Sequence, residues 1–190
     1  LPLSIWTRKY QFEGESFESF FDRIADNNDN IRKLIKDKRF IPAGRILANR
    51  KLHEKGIKVS YSNCYVTSPP EDNLESIFDT AKKIARTFSY GGGTGIDISN
   101  LRPRGAKVNN AAKTTSGAVS FTDLYDVTSE KIGQKGRRAA LMISLKIDHP
   151  DIEEFIDKKL DLSAVNKANM SVRMTDKFMK AAGDGEEVKL

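Results

Sequence analysis

The chain has 190 residues, of which 38% are hydrophobic and 31% charged, and its formal net charge is +6. No stretch approaches the ~18 consecutive apolar residues of a membrane span, which argues against a membrane partner. The positive charges are dispersed rather than gathered with aromatic residues in one stripe, which argues against nucleic acid. A modest positive charge suits phosphate-bearing ligands, and the length suits one domain or one and a half.

Cys64 is the single cysteine, so an internal disulfide is excluded and a reducing compartment is indicated. The first residues, Leu1–Ser4, lack the basic segment followed by an apolar one that marks a secretory signal. These features predict a cytoplasmic protein.

The first 40 residues predict a small helical region that carries no chemistry. Apolar residues recur at helical spacing in two groups, Phe17, Phe20, Phe21 and Ile24, then Ile31, Leu34 and Ile35. Pro42 biases the residue before it away from helical geometry and ends this pattern. His53 lies in a polar stretch and is expected to be solvated surface. We place the domain boundary between residues 40 and 41, with 41–190 forming an α/β domain.

From residue 60 onward, predicted strands and helices alternate. The predicted strands are 59–66, 96–98, 139–145 and 171–174, and the predicted helices are 74–89, 118–133, one beginning at 149–151, and 176–182. The continuous apolar run 139–145 is typical of a strand buried on both faces. His149, at the start of a helix, is expected to be structural. This alternation predicts a parallel α/β sheet or barrel with covered faces, and does not separate a barrel from a doubly wound sheet.

Four glycines lie between residues 91 and 95, directly after the predicted helix 74–89. Glycine is costly in regular structure, so such a run has either a helix-capping reason or bare N–H groups that approach a ligand. The run ends in Gly95-Ile96 and not in the Gly-Lys-Ser/Thr of a P-loop. Its order of helix, glycines and strand also disfavours a dinucleotide fingerprint.

The loop 100–108 is basic and rich in turn-forming residues. Arg102 and Arg104 carry the side chain best suited to bidentate phosphate contact, although a solvated loop explains the same residues. Asp72 or Asn73 is expected to cap the helix that follows.

Six segments occur in an order that resembles the large catalytic subunit of ribonucleotide reductase, most closely its adenosylcobalamin-dependent class. They are Pro42-Ala43-Gly44-Arg45-Ile46-Leu47, Ser62-Asn63-Cys64, Asp72-Asn73-Leu74-Glu75-Ser76-Ile77, Gly91-Gly92-Gly93-Thr94-Gly95, Leu101-Arg102-Pro103-Arg104-Gly105 and Gly136-Arg137-Arg138-Ala139-Ala140. The resemblance covers residues 38 to 182. It implies an α/β fold, with an N-terminal helical region followed by the first half of a ten-stranded α/β barrel.

The resemblance also implies residue roles. Cys64 would be one of the two cysteines that reduce the ribose and end as a disulfide, on the first barrel strand. The residues implied to contact substrate are Ala43, Gly44, Ser62, Asn63, Gly92 and Gly93. The residues implied to bind a specificity effector, a dNTP or ATP, are Asp72, Arg102 and Lys107. Residues 104–110 and 162–169 would be two specificity loops, the second of which reports effector identity to the substrate. No metal site is implied.

The family's thiyl-forming cysteine, its Asn and Glu partners and the second redox cysteine lie downstream of the matched segments. The chain alone is therefore expected to be inactive. The implied partners are the C-terminal remainder of the catalytic chain or a split-gene product, a ribonucleotide, a thioredoxin-type dithiol and a possible second copy in a homodimer. Adenosylcobalamin would serve the complete enzyme.

Two other classes stay open at this point. A non-catalytic regulatory module would keep the effector site and lose the chemistry. A glycyl-radical relative on the same barrel is less favoured, because Asp72 and Arg102 would then have no purpose.

Overall fold

The computed structural model describes residues 3–132, 140–160, 165 and 168–188. The chain divides into two compact units, Leu1–Asn63 and Cys64–Leu190, named here the N-terminal unit and the sheet unit. The domain boundary that the sequence analysis places between residues 40 and 41 stays a prediction. The Gly136-Arg137-Arg138 motif and most of the loop 162–169 lie outside the described residues.

The N-terminal unit is helical, as predicted. Its elements are α1 (Leu3–Lys9), α2 (Phe17–Ala25), α3 (Asp29–Lys36), α4 (Gly44–Asn49) and a short 3-10 helix, Leu52–Lys55. The two predicted helices are α2 and α3, and the side chains of Ser16 and Asn28 cap them. The sequence did not reveal α1 or α4, because helices of 7 and 6 residues are too short to repeat an apolar pattern.

A buried arginine ties the elements of the N-terminal unit together. Its apolar core consists of Trp6, Phe20, Ile24, Ile35 and Leu47. Beside that core, Arg23 pairs with Glu15 at 2.6 Å and donates to three backbone carbonyls, those of Tyr10, Leu47 and Arg50. Each donor of a buried guanidinium needs such a partner. We therefore assign Arg23 and its partners a role in the stability of this unit.

The sheet unit alternates strands and helices, which confirms the predicted pattern. Its elements are β1 (Cys64–Val66), α5 (Leu74–Ser89), β2 (Gly93–Asp97), α6 (Phe121–Ile132), β3 (Leu141–Lys146), α7 (Ile152–Lys158), β4 (Ala168–Arg173) and α8 (Asp176–Asp184). The first strand is shorter than the predicted 59–66. Only residues 64–66 pair with β2, and strand-forming side chains at 59–63 do not by themselves make a strand.

The four strands lie in the order β1-β2-β3-β4 and every neighbouring pair is parallel. A doubly wound sheet reverses its strand order, and this sheet does not. Connections between neighbouring parallel strands are right-handed, so with this strand order the connecting helices lie on the same face of the sheet. The core between that face and the helices includes Ile84, Phe88, Ile96, Tyr125, Ile143, Leu145 and Phe155. The architecture is a segment of an α/β barrel.

The other face of the sheet is open among the described residues, so the expectation of two covered faces was wrong for this chain. Along β3, Leu141, Ile143 and Leu145 are buried, whereas Met142 is 48% exposed. Val66, on the same face as Met142, is 94% exposed. Successive strand residues point to opposite faces, and on β3 Ser144 and Lys146 share the open face with Met142. The prediction treated 139–145 as one apolar run and so missed this alternation.

Candidate functional site

The glycine run begins as a helix cap. Gly91 has a φ of 82°, its N–H donates to the carbonyl of Phe88 at 2.8 Å, and the N–H of Gly92 donates to the carbonyl of Thr87 at 3.0 Å. These two bonds form a Schellman motif at the end of α5, in which the left-handed residue is usually glycine. The capping explanation therefore accounts for Gly91.

Gly92 lies under an aromatic ring. A Cβ at this position would lie 2.6 Å from Cε2 of Tyr65 and 3.0 Å from Cγ2 of Thr87. Packing within the sheet unit is thus sufficient to require glycine here. The implied contact between Gly92 and a substrate stays a prediction.

Gly95 leaves an open floor on the same face of the sheet as the cysteine, whereas Gly93, on that face too, is buried. Gly93 is in register with Cys64, and Gly95 with Val66, so these four residues share the open face of the sheet. A Cβ at Gly95 would meet nothing closer than 3.9 Å, the Cβ of Met142. Space is available at Gly95, and packing does not explain its glycine. Sequence reasoning named Gly93 and missed Gly95, although glycines two residues apart on a strand were a usable signal.

Cys64 is exposed and begins β1, the edge strand of the sheet. An accessible thiol at a strand end, beside two positions without side chains, can be approached by a substrate or a second thiol. Four of the implied substrate contacts, Ala43, Gly44, Ser62 and Asn63, belong to the N-terminal unit. Their roles stay predictions.

The structure brings Asp72 and Arg102 together. Asp72 precedes the N-cap of α5, and Arg102 follows β2. The Nε of Arg102 lies 2.5 Å from Oδ2 of Asp72, its backbone N–H donates to Oδ1 at 3.1 Å, and its Nη2 donates to the carbonyl of Asp72 at 3.2 Å. Nη1 donates to the carbonyl of Lys107 at 2.9 Å. Two of the three predicted effector residues therefore form one ion-paired, hydrogen-bonded unit.

Residues 105–115, within which most of the first predicted specificity loop lies, form a small hairpin. Lys107 pairs with Thr114 in an antiparallel bridge, and the N–H groups of Gly105 and Thr115 donate to the carbonyls of Thr115 and Ala106. Lys107 is exposed and supplies the carbonyl that Arg102 binds. We name this element the 105–115 hairpin.

A pocket of about 210 Å³ lies between the hairpin, the start of α5 and the start of α6. Its lining residues are Asp72, Asn73, Leu74, Ile77, Arg102, Val108, Asn109, Asn110, Thr115 and Phe121. Apolar side chains next to an Asp–Arg pair and three asparagine amides suit a ligand with an apolar ring and polar edges. Typical ligand pockets measure ~300–1,000 Å³, so this one suits part of a nucleotide.

Asp151 fixes the base of the hairpin, and sequence reasoning missed it. Its buried carboxylate accepts the N–H of Arg104 at 3.0 Å and the N–H of Ala118 at 3.1 Å, one residue on each side of the hairpin. Gly117 has a φ of 91°, and a Cβ there would lie 2.7 Å from Asp151 Oδ2. His149 is buried and accepts the N–H of Asp151 at Nδ1, while Nε2 contacts the carbonyl of Leu101 at 2.8 Å. This geometry agrees with the structural role expected for His149.

A polar network lies on the open face, at the carboxyl ends of β2, β3 and β4. Asp97 accepts hydrogen bonds from Ser144 at 3.1 Å and pairs with Arg173 at 2.8 Å. Burial alone would raise the pKa of Asp97, but the hydrogen bonds from Ser99, with Arg173 and Ser144, outweigh burial and hold that pKa below its ordinary value. Asp97 is therefore a carboxylate at neutral pH.

Among the described residues, no group of three or more His, Cys, Asp or Glu side chains could hold a metal ion. Within the same ranges, no helix is both long and apolar enough to cross a membrane.

Comparisons with known proteins agree with this architecture. The family described as "Ribonucleotide reductase, barrel domain" matches residues 62–190. A vitamin B12-dependent ribonucleoside-diphosphate reductase of Thermoplasma acidophilum is 33% identical over 184 residues, which cover 92% of this chain and 23% of that protein. A protein of the same description from Mycobacterium tuberculosis is 36% identical over 174 residues, 90% of this chain and 23% of that protein. The chain belongs to the ribonucleotide reductase family.

A solved structure, the class Id ribonucleotide reductase alpha subunit of Actinobacillus ureae, superposes with a TM-score of 0.77 at 20% identity. The superposition covers 96% of this chain and 34% of that subunit, and at this identity it supports the fold alone. The chain spans about a quarter of the length of the curated relatives named above.

Proposed function

We propose that this chain is the part of a ribonucleotide reductase catalytic subunit that carries one redox cysteine and the specificity-effector pocket. The complete enzyme converts ribonucleotides to 2′-deoxyribonucleotides. The observation that carries the proposal is the exposed Cys64 beside Gly93 and Gly95, on the first strand of a sheet that belongs to this family.

Cys64 supplies half of the reducing equivalents. In the reaction, the C2′–OH bond of the ribose breaks and the hydroxyl leaves as water. Two thiols provide two electrons and two protons and become a disulfide, so Cys64 works with a second cysteine that the remainder of the catalytic subunit contributes. An external dithiol of the thioredoxin type then reduces that disulfide by thiol exchange.

Gly93 and Gly95 provide room for the sugar. Backbone without side chains lets a ligand approach the strand closely, and the thiol of Cys64 lies on the same face. The sheet beyond these positions carries Met142 and the Asp97 network, which we expect the downstream half of the barrel to cover.

The pocket at the 105–115 hairpin is the effector site of this proposal. Asp72 and Arg102 occupy one of its ends and pair with one another. We propose that an incoming dNTP or ATP takes over part of this pairing: the guanidinium turns to phosphate and the carboxylate to the deoxyribose hydroxyl. Lys107 is exposed on the hairpin, where its ammonium can reach the phosphates.

Adenosylcobalamin is the proposed radical source, because the curated relatives named above are described as vitamin B12-dependent. When bound, it supplies the carbon-centred radical from which the enzyme's thiyl radical is made. The described residues offer no cluster that could ligate its cobalt, so we assign none of them to it. We propose a cytoplasmic enzyme that acts as a homodimer.

The test is ribonucleotide reduction by the complete enzyme that contains this segment, with adenosylcobalamin and a dithiol. We expect multiple turnovers that require both additions. Turnover without cobalamin would contradict the proposed radical source, and failure to reduce any ribonucleotide would contradict the proposed reaction.

A second candidate is a regulatory module that binds nucleotide without performing chemistry. It is favoured by one observation, namely that the pocket is built wholly within the sheet unit. A protein that binds dNTP but shows no reduction with any partner supplying the missing cysteines would support this candidate.

A further inference from the structure

The open face of the sheet carries an excess of positive charge at the carboxyl ends of β3 and β4. Lys146 shares this face with Met142 and Ser144, because alternate residues of a strand point the same way. Arg173 on β4 is in register with Lys146. Residues in register on neighbouring parallel strands share a face, so the two cationic side chains lie next to one another at one end of the open face.

Asp97 balances only one of these two charges. Its Oδ2 pairs with Nη1 of Arg173 at 2.8 Å and accepts the hydroxyl of Ser144 at 3.1 Å. Its Oδ1 accepts the N–H of Ser99 at 2.9 Å. Both oxygens of the carboxylate are therefore occupied within this cluster.

Lys146 is the cation that Asp97 leaves unbalanced. In the part of the chain that the structure describes, no carboxylate, the exposed Asp148 included, lies within ion-pair distance of its ammonium. The backbone of Lys146 is nevertheless fixed, since its N–H donates to the hydroxyl of Ser99 at 2.9 Å and its carbonyl accepts the N–H of His149 at 3.2 Å. Its side chain is partly buried even with the face open. Two cations and one carboxylate leave one positive charge without a partner.

This end of the face lies too far from Cys64 to bind the phosphates of a ribonucleotide whose ribose contacts that thiol. Cys64 is in register with Gly93 on β2. Lys146 lies two residues beyond the partner of Asp97 on β3, which places it six strand positions from the row of Cys64. At ~3.3 Å per residue, the separation along the strands is about 20 Å, longer than the phosphate chain of one nucleotide. The anion that Lys146 binds is therefore not part of the substrate.

We propose that the remainder of the catalytic subunit presents an Asp or Glu side chain to Lys146 and Arg173 where it closes the barrel. The inference rests on the proposed function, because this chain covers 23% of the relatives named above and forms four parallel strands of the barrel domain. Covering the open face removes water from Lys146, and a buried ammonium is unfavourable unless an anion pairs with it. A carboxylate supplies the missing charge and also accepts hydrogen bonds from the guanidinium of Arg173.

A carboxylate of the same subunit fits this cluster better than a free anion. One carboxylate neutralises the one charge that remains, whereas a phosphate group carries about −1.5 to −2 at pH 7 and would overbalance it. A side chain of the subunit is also brought to Lys146 by folding itself, whereas a free ion loses its translational freedom on binding.

The experiment treats the complete enzyme with a water-soluble carbodiimide and maps the products by mass spectrometry. The reagent joins an ammonium nitrogen to a carboxylate in contact with it as an amide, and the reagent takes up the water that is lost. We expect Lys146 to be linked to an Asp or Glu beyond residue 190. The exposed pair of Lys83 and Asp79, at 2.9 Å, is the internal positive control. The readout does not depend on turnover, so it is separate from the test of the reaction.

Variants of Lys146 in the complete enzyme give a second, independent measurement. Lys146→Gln removes the ammonium and leaves the carboxylate short of a cation, so the midpoint of thermal unfolding should fall. Lys146→Arg keeps the charge and should retain most of the midpoint. Lys83→Gln is the matched control, because the exposed ion pair that it removes contributes little and the midpoint should stay unchanged.

Several outcomes overturn the inference. One is a Lys146 that links only to carboxylates within residues 1–190, or to none while the link between Lys83 and Asp79 forms. A second is a Lys146→Gln enzyme with the wild-type midpoint. Loss of the cross-link when inorganic phosphate is added would assign the cluster to a free anion instead. If the complete enzyme reduces no ribonucleotide, the proposed function fails, and the cross-link still identifies the partner of Lys146.

Discussion

The pocket at the 105–115 hairpin and the edge strand that begins at Cys64 are the two proposed nucleotide sites of the sheet unit, and they differ in how much of each site this chain contains. Residues of α5, α6 and the 105–115 hairpin line the pocket, which is open to solvent, and Asp151 fixes the base of the hairpin. Cys64 instead begins a three-residue edge strand and faces an open surface. Nucleotide binding at the pocket can therefore be tested on this chain, whereas a test of the chemistry proposed for Cys64 needs the rest of the barrel.

Cys64→Ser should have the largest effect and should separate the two regions. In the complete enzyme we expect multiple turnovers with a dithiol reductant to be abolished, because serine cannot form the disulfide. The dNTP Kd should be unchanged, since Cys64 does not line the pocket. Product formation under multiple-turnover conditions and equilibrium dNTP binding measure the two effects. Sustained turnover by the variant would remove Cys64 from the proposed chemistry.

Gly117→Ala should disrupt the pocket from its base. The new Cβ would lie 2.7 Å from the backbone N of Arg104, at a φ of 91°. Left-handed strain of ~1–3 kcal/mol and overpacking of ~1–3 kcal/mol predict a loss of about 3 kcal/mol in the free energy of unfolding.

Gly105→Ala is the matched control for this variant, since Gly105 has a φ of 79° and open space around its Cα. It should show the strain without the clash and lose about 1 kcal/mol. Denaturant unfolding of both variants gives the difference. Equal losses would mean that the close contact of the new Cβ with Arg104 and Asp151 does not change the free energy of unfolding.

Gly92→Ala and Gly95→Ala, both within the glycine run, should differ in their effect on the free energy of unfolding. Alanine at residue 92 meets the ring of Tyr65 at 2.6 Å, so we expect a loss of about 2 kcal/mol in stability. Alanine at residue 95 fits, so stability should change by less than about 0.5 kcal/mol. In the complete enzyme Gly95→Ala should raise the KM for the ribonucleotide, because the methyl group occupies the floor beside Cys64. An unchanged KM would contradict the role given to that floor.

Asp97→Asn should have a smaller effect on stability than Gly117→Ala, and that effect should depend on pH. The folded-state pKa of Asp97 lies below its ordinary value of 3.8, so the carboxylate stabilises the fold above that value. This contribution is lost as the pH falls through the lowered folded-state pKa. At neutral pH the variant should lose about 1–2 kcal/mol, and the difference should narrow in acid. A difference that stays constant down to acid pH would mean that Arg173 and Ser99 do not bind the ionised form.

The sequence predicted most elements of the sheet unit because their signals are local. Asn73 caps α5 where a cap was expected, and the helix ends at Ser89 as predicted. The start of β1 was predicted too early, since pairing with β2 decides where that strand begins. The open face was missed because 139–145 was treated as one apolar run, although Ser144 and Lys146 mark the open side of that strand.

The sequence predicted the candidate site less completely. The resemblance led to Cys64, Asp72 and Arg102, and the structure joins the last two in one ion pair. It did not lead to Asp151, whose partners lie on other elements and leave no periodic pattern. Within the glycine run, only three-dimensional contacts could separate the cap at Gly91 from the packing at Gly92 and the open floor at Gly95.

The most direct test of the account is equilibrium binding of dNTPs to this 190-residue chain and to its Arg102→Ala variant. The account predicts saturable binding by the wild-type chain and a loss of about 2 kcal/mol or more in the variant, since Arg102 organises the pocket through Asp72 and the hairpin. Arg86→Ala, at an exposed arginine late in α5, is the control and should bind normally. Wild-type binding that Arg102→Ala leaves intact, or no saturable binding at all, would contradict the claim that this chain carries the effector site.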